Sequence, residues 1–192
     1  MLKIGPDTYI YENYKMKNKL EENIILTGYM GSGKTEIGVR LSKKLGMKCI
    51  DLDQYIEDRE GFTITELFEK KGDIYFRKIE SKYLNEIIKI DNCIISLGGG
   101  TPCYYEDHKV FNDKNNISFY LKYSRKKISE RLFRIKKNRP MISKFESKEK
   151  LLEFISKHLF EREFYYSMAE KVINCDDKSI VQICEQIVET LE

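Results

Sequence analysis

In Gly28-Tyr29-Met30-Gly31-Ser32-Gly33-Lys34-Thr35 a glycine is followed by four residues and then by Gly-Lys-Thr. Each of these residue types has a separate task if an anion lies against it. Glycines let the chain curl so that successive N–H groups point at phosphate oxygens. A lysine brings charge to the β and γ positions, and a threonine hydroxyl reaches Mg²⁺. The apolar run Ile24-Ile25-Leu26 precedes the string and a helical pattern follows it, the strand, loop and helix order of a P-loop. Gly31, Ser32, Gly33, Lys34, Thr35 and Glu36 are the expected contacts of a nucleotide such as ATP.

A phosphate loop alone does not say what becomes of the phosphate. Asp51-Leu52-Asp53 closes a second apolar run. At the end of a parallel strand, period-two alternation would turn both carboxylates to one side, toward the same crevice as the loop. One acid would then hold Mg²⁺ through water and the other would accept a hydroxyl proton. In Phe76-Arg77-Lys78-Ile79-Glu80 the spacing of three puts Arg77 beside Glu80 on a helix, which by itself describes a surface ion pair. A third run, Cys93 to Leu97, enters Gly98-Gly99-Gly100. Three glycines together cost backbone entropy and imply that something approaches the main chain closely.

The elements that must position these residues are short β-branched runs separated by helical patterns. Strands are expected at Asn23 to Thr27, Lys48 to Leu52, Cys93 to Leu97, Ile117 to Leu121 and Lys171 to Asn174. Their alternation with helices predicts an α/β fold, a three-layer αβα sandwich on a five-stranded parallel sheet. Ile37, Leu41 and Leu45 recur every fourth residue before Gly46, marking a helix with one buried face and a glycine stop. Ile180, Ile183, Cys184, Ile187, Val188 and Leu191 follow the same rule after Ser179, a natural N-cap. Residues 1–22 do not fit this alternation and form an N-terminal extension, so a single domain is expected over 23–192. Met16 lies at an ordinary distance before the first strand and is an alternative translation start.

With 192 residues, 34% charged residues and a net charge of +3, the chain suits one soluble domain and lacks the basic excess of a nucleic-acid binder. It has no 18-residue apolar run and no apolar core for a signal peptide near its start, so a cytoplasmic protein without membrane contact is expected. Cys49, Cys93, Cys103, Cys175 and Cys184 are odd in number and form no C-x-x-C, which favours reduced core thiols over a metal or redox site. The lysines at 126, 127, 136 and 137 read as a solvated face.

Gly28 to Thr35, Asp51-Leu52-Asp53, Phe76-Arg77-x-x-Glu80, Ser96-Leu97-Gly98-Gly99-Gly100, Arg139-Pro140 and Arg162-x-x-x-Tyr166 occur in the order and at the separations seen in shikimate kinase. Over roughly residues 23 to 192 the chain resembles that family. The resemblance implies transfer of the γ-phosphoryl of ATP to the 3-hydroxyl of shikimate by a monomer using one Mg²⁺ ion. It assigns Asp53 to the shikimate hydroxyls, Arg77 and Arg162 to the carboxylate, and residues 98–100 to the same pocket. Glu80 would orient Arg77, Thr35 and Asp51 would serve the metal, and Ser96 would hold a metal-bound water. Lys34, Asp53 and Arg139 would be catalytic, Arg139 closing over the phosphoryl group from a lid at about 134–149.

Adenine falls to Arg131 or Arg134 in this comparison, and residues 176–179 read equally as an adenine loop or a helix cap. Family members usually carry Arg-x-Pro-Leu-Tyr, where this chain reads Arg162-Glu163-Phe164-Tyr165-Tyr166. Two other readings of the P-loop are a different small-molecule kinase and a module that holds nucleotide without turnover. The first lacks the combined Asp-x-Asp, Phe-Arg-x-x-Glu and triple-glycine set. Against the second, Lys34, Thr35, Asp51, Asp53 and Arg139 are all present, so no catalytic part has been lost.

Overall fold

β1 (Asn23–Thr27) is buried along its whole length, which is why it reads as a continuous apolar run instead of an alternating one. It is the middle strand of a five-stranded sheet in the computed structural model, which describes residues 22–135 and 140–191. The other strands are β2 (Lys48–Asp51), β3 (Cys93–Ser96), β4 (Asn116–Lys122) and β5 (Lys171–Asn174), all parallel in the order β2-β3-β1-β4-β5. β1 pairs with β3 on one side, Leu26 opposite Ser96, and with β4 on the other. The chain leaves β1 toward β2 and leaves β3 toward β4. These connections diverge, so right-handed crossovers open a crevice at the carboxyl ends of the central strands.

Helices α1 (Lys34–Leu45), α2 (Leu52–Glu60), α3 (Ile64–Ile87), α4 (Arg125–Ile135), α5 (Pro140–Ser143), α6 (Lys148–Tyr166) and α7 (Ile180–Leu191) flank the sheet. α1 buries Ile37 and Leu41 and stops at Gly46, whose φ of 69° suits the missing side chain. Thr63 and Glu66 form a reciprocal capping box at the start of α3, which satisfies its first amide groups. Gly72 breaks α3 with a non-helical φ of 82°, so the half carrying Arg77 and Glu80 takes its own direction. α7 buries Ile183, Cys184, Ile187 and Val188.

All five expected strands are present, with no end differing by more than one residue. The second departs where it matters. β2 ends at Asp51, and Asp53 belongs to the first turn of α2. Strand alternation therefore does not set the two carboxylates. Asp51 is the N-cap of α2, accepting from the N–H groups of Asp53 (3.1 Å) and Gln54 (3.4 Å), a role its short acceptor side chain favours. Cys93, Cys175 and Cys184 are buried. Among the described residues no helix is long and apolar enough to cross a membrane. The extension before residue 22, including Met16, lies outside the described residues.

Candidate active site

The loop after β1 turns into α1 through Gly33, which occupies the N-cap with φ 89° and offers no side-chain cap. No N-cap side chain stands between the start of α1 and an anion, and the helix dipole favours negative charge there. Lys34 folds over the loop, donating from Nζ to the carbonyls of Gly28 (2.8 Å) and Tyr29 (3.2 Å). A methyl group placed on Gly33 would lie 3.4 Å from Ile180 and 3.6 Å from a guanidinium nitrogen of Arg131. Arg131 thus stands beside the loop, over the ring of Tyr123 (4.8 Å) and bonded to its hydroxyl (2.9 Å). Arg134 is exposed in the last turn of α4. Glu36 turns outward to Arg40 at 3.5 Å.

Residues 176–179 have structural partners. Asp176 accepts from the Ser124 amide (2.9 Å), Asp177 pairs with Lys127 (2.7 Å), and Ser179 and Gln182 cap α7 reciprocally. Lys126 is exposed, whereas Lys127 is tied into that ion pair. Lys136, Lys137 and Arg139 lie outside the described residues.

Thr35 donates to Asp51 at 2.6 Å. Ser96 is the register partner of Asp51 on β3, and its buried hydroxyl has no hydrogen-bond partner among the described residues. Threonine hydroxyl, carboxylate and serine hydroxyl form an all-oxygen set with few protein ligands. That composition fits Mg²⁺, which keeps several waters and takes one or two carboxylates.

Across the crevice lies a cavity of about 930 Å³, bounded by Asp53, Phe68, Arg77, residues 98–100, Arg162 and Met30 of the loop. The triple glycine is where its walls meet. A methyl group on Gly98 would sit 2.8 Å from Asp53 Oδ1 and 3.0 Å from Glu80 Oε1, and one on Gly100 would sit 2.7 Å from Arg77 Nη1. On Gly99 it would press on the Met30 amide at 3.2 Å. What approaches this backbone so closely is the protein itself: an acid, an arginine and the phosphate loop.

Arg77 is 8% exposed and Glu80 1%. They form a buried pair at 2.6 Å, not the surface pair that spacing alone suggests. Thr101 donates to the other oxygen of Glu80 at 2.6 Å, and Tyr104 stacks on the Arg77 guanidinium at 4.3 Å. Burial opposes the charge on Arg77, but the Glu80 carboxylate, with Tyr104 and Asp73, together offset it and the guanidinium is held above its ordinary pKa. Arg162 donates to the Gly99 carbonyl at 3.1 Å, and Tyr166, one turn later on α6, donates to the same oxygen. α6 runs unbroken through Phe164; without a proline there, the i to i+4 spacing of Arg162 and Tyr166 is preserved. Removal from water, with Asp51 and Glu80 close by, pushes the Asp53 carboxyl up to about 6, while Lys34 pulls the other way.

Thr101 and Tyr104 were not legible as site residues, since only their position just after the triple glycine points to them. Tyr166 stood in a recognised motif without a task.

A glycine-rich phosphate loop that shares a wall with a cavity carrying an acid and two arginines defines a P-loop phosphotransferase of small molecules. The family model for shikimate kinase matches residues 30–192. A shikimate kinase of Flavobacterium psychrophilum is 46% identical over 86% of this chain and 96% of its own. One of Bacteroides thetaiotaomicron is 36% identical over 86% and 98%. A crystal structure of shikimate kinase from B. thetaiotaomicron superposes with a TM-score of 0.81 at 34% identity, covering 88% of this chain and 98% of that one. Shikimate kinase from Acinetobacter baumannii in complex with shikimate gives 0.79 at 28% identity, covering 94% and 96%. The chain belongs to the shikimate kinase family, and so to the ATP-dependent phosphotransferases with an alcohol acceptor.

Proposed function

We propose that the protein transfers the γ-phosphoryl group of ATP to the 3-hydroxyl of shikimate, giving shikimate 3-phosphate and ADP. The observation that carries this reading is the convergence of Arg77, Arg162 and Asp53 on residues 98–100, in a cavity that the phosphate loop itself helps to wall. A ring acid with hydroxyls needs such a set. Two guanidinium forks read a planar carboxylate, and a carboxylate accepts from a hydroxyl. Glu80 fixes Arg77 from behind, and Phe68 offers an apolar face.

Phosphoryl transfer asks for position and charge, because the transition state is loose and its charge lies on the equatorial oxygens. In this reading the first amides of α1 and the Lys34 ammonium hold the β and γ phosphates, and Arg131 packs beside the adenine. Asp53 accepts a hydrogen bond from the 3-hydroxyl and keeps that oxygen in line with the γ-phosphorus. Alignment outweighs proton removal when the nucleophile needs little activation. Thr35 and Asp51 would hold Mg²⁺, with Ser96 holding a metal-bound water, and the ion would supply charge neutralisation to the phosphates. Residues 134–149 serve as the lid, which fits the half-exposed Ile135 and Met141 at the cavity edge. We take the enzyme to act as a monomer, in the cytoplasm where ATP is supplied.

A coupled assay of ADP release with and without shikimate tests the reaction. Turnover that depends on shikimate is expected; ADP formed at the same rate without it would refute the reading.

A further inference from the structure

Tyr29 occupies a position in the phosphate loop where the chemistry needs only a backbone. Yet its ring is 2% exposed and its hydroxyl has a specific partner, Nδ1 of His158, at 2.8 Å. The two rings meet edge to face, with centroids 5.6 Å apart at 82°. Phe154 also packs on the imidazole, with ring centroids 5.4 Å apart at 37°, so a second ring limits the freedom of His158 to turn. His158 lies on α6, one turn before Arg162. Burial, together with the cations Arg162 and Arg77, lowers its pKa to about 4, and a neutral imidazole has one nitrogen free to accept. Burial also raises the pKa of Tyr29, so the phenol keeps its proton to donate.

These contacts close a ring. The Tyr29 carbonyl accepts from Lys34, and the loop backbone at residues 29 and 30 packs against Gly99. The Gly99 carbonyl in turn accepts from Arg162 and Tyr166 of the same helix that carries His158. A single helix therefore grips the donor loop through His158 and the acceptor wall through Arg162.

We propose that Tyr29 and His158 are positioning residues whose hydrogen bond fixes the phosphate loop against α6, and with it the separation between the transferred phosphoryl group and the acceptor hydroxyl. Neither touches a substrate. The bond acts through Lys34 on one side and Arg162 on the other. Loosening it disturbs in-line geometry, which penalises the chemical step more than binding. It also lets the phosphoryl group meet water, so ADP is formed without matching phosphorylation of the acceptor.

This inference rests on the proposed reaction, and the test separates the two. Tyr29→Phe removes only the hydroxyl, and His158→Leu removes the acceptor while keeping an apolar body. Each should lower kcat about tenfold, the equivalent of one hydrogen bond, with both KM values little changed and with excess ADP over phosphorylated shikimate. The double variant should be no worse than either single one, because both remove the same bond. His158→Asn, which keeps an acceptor near the Nδ1 position, should recover most of the loss. Unchanged kcat in Tyr29→Phe, or losses that multiply in the double variant, would overturn the proposal. Wild-type protein without shikimate-dependent turnover would instead count against the reaction. The bond has a readout that needs no activity, since the chain has only two histidines. The imidazole ¹⁵N spectrum should show His158 protonated on Nε2, with an Nδ1 resonance that moves in Tyr29→Phe; a resonance indifferent to that change would also overturn it.

Discussion

Arg77 and Glu80 show how a common spacing acquires a particular use. Residues three apart on a helix attract wherever the helix lies; what differs here is that residues 98–104 fold over them. Glu80 is left with two partners, Arg77 and Thr101. For Arg77→Ala the shikimate KM should rise about thirtyfold to a hundredfold, in line with the loss of a charge-assisted bond to a carboxylate, while the ATP KM stays near its original value. Buried Glu80 would then lack its counter-charge, so thermal unfolding should also show destabilisation of about 3 kcal/mol. Equal rises in both KM values would make Arg77 a structural residue only. The pairing was legible in the sequence and the burial was not. Burial here depends on contacts from a loop more than twenty residues away, which no local pattern encodes.

At the level of elements, the runs whose pattern came from burial were read well. β1 and β3 are continuous apolar runs because helices cover both faces of the sheet, and α7 is periodic because only one of its faces is buried. Asp51-Leu52-Asp53 was read on the wrong element, as strand instead of strand end and helix start. A residue that ends a strand and caps a helix satisfies both patterns, and only the hydrogen bonds from Asp53 and Gln54 decide between them. The ambiguity at residues 176–179 has a similar origin, because loop and cap use the same polar residues. Here Ser179 exchanges hydrogen bonds with Gln182 at the start of α7. Ser179→Ala should therefore cost about 1 kcal/mol, lowering Tm by roughly 2–4 °C, with the ATP KM unchanged. An ATP KM raised about tenfold, the equivalent of one lost hydrogen bond, would instead put this segment on the adenine.

For the molecule as a whole, the parallel sheet brings a phosphate loop from β1 and a glycine run from β3 together, because those strands are neighbours although 66 residues separate Ser96 from Met30. The phosphate loop and the cavity share a wall at Gly99 and Met30, and in the proposed reaction that shared wall would favour direct transfer over hydrolysis. The sequence motifs pointed to both sites, but their common boundary depends on strand order, which spacing does not specify. The most direct measurement is the fate of the phosphoryl group. In ³¹P NMR of protein incubated with ATP, Mg²⁺ and shikimate, a monoester resonance coupled to the proton at C3 should grow one for one with ADP. Growth of inorganic phosphate with ADP, with shikimate recovered unchanged, would contradict the account.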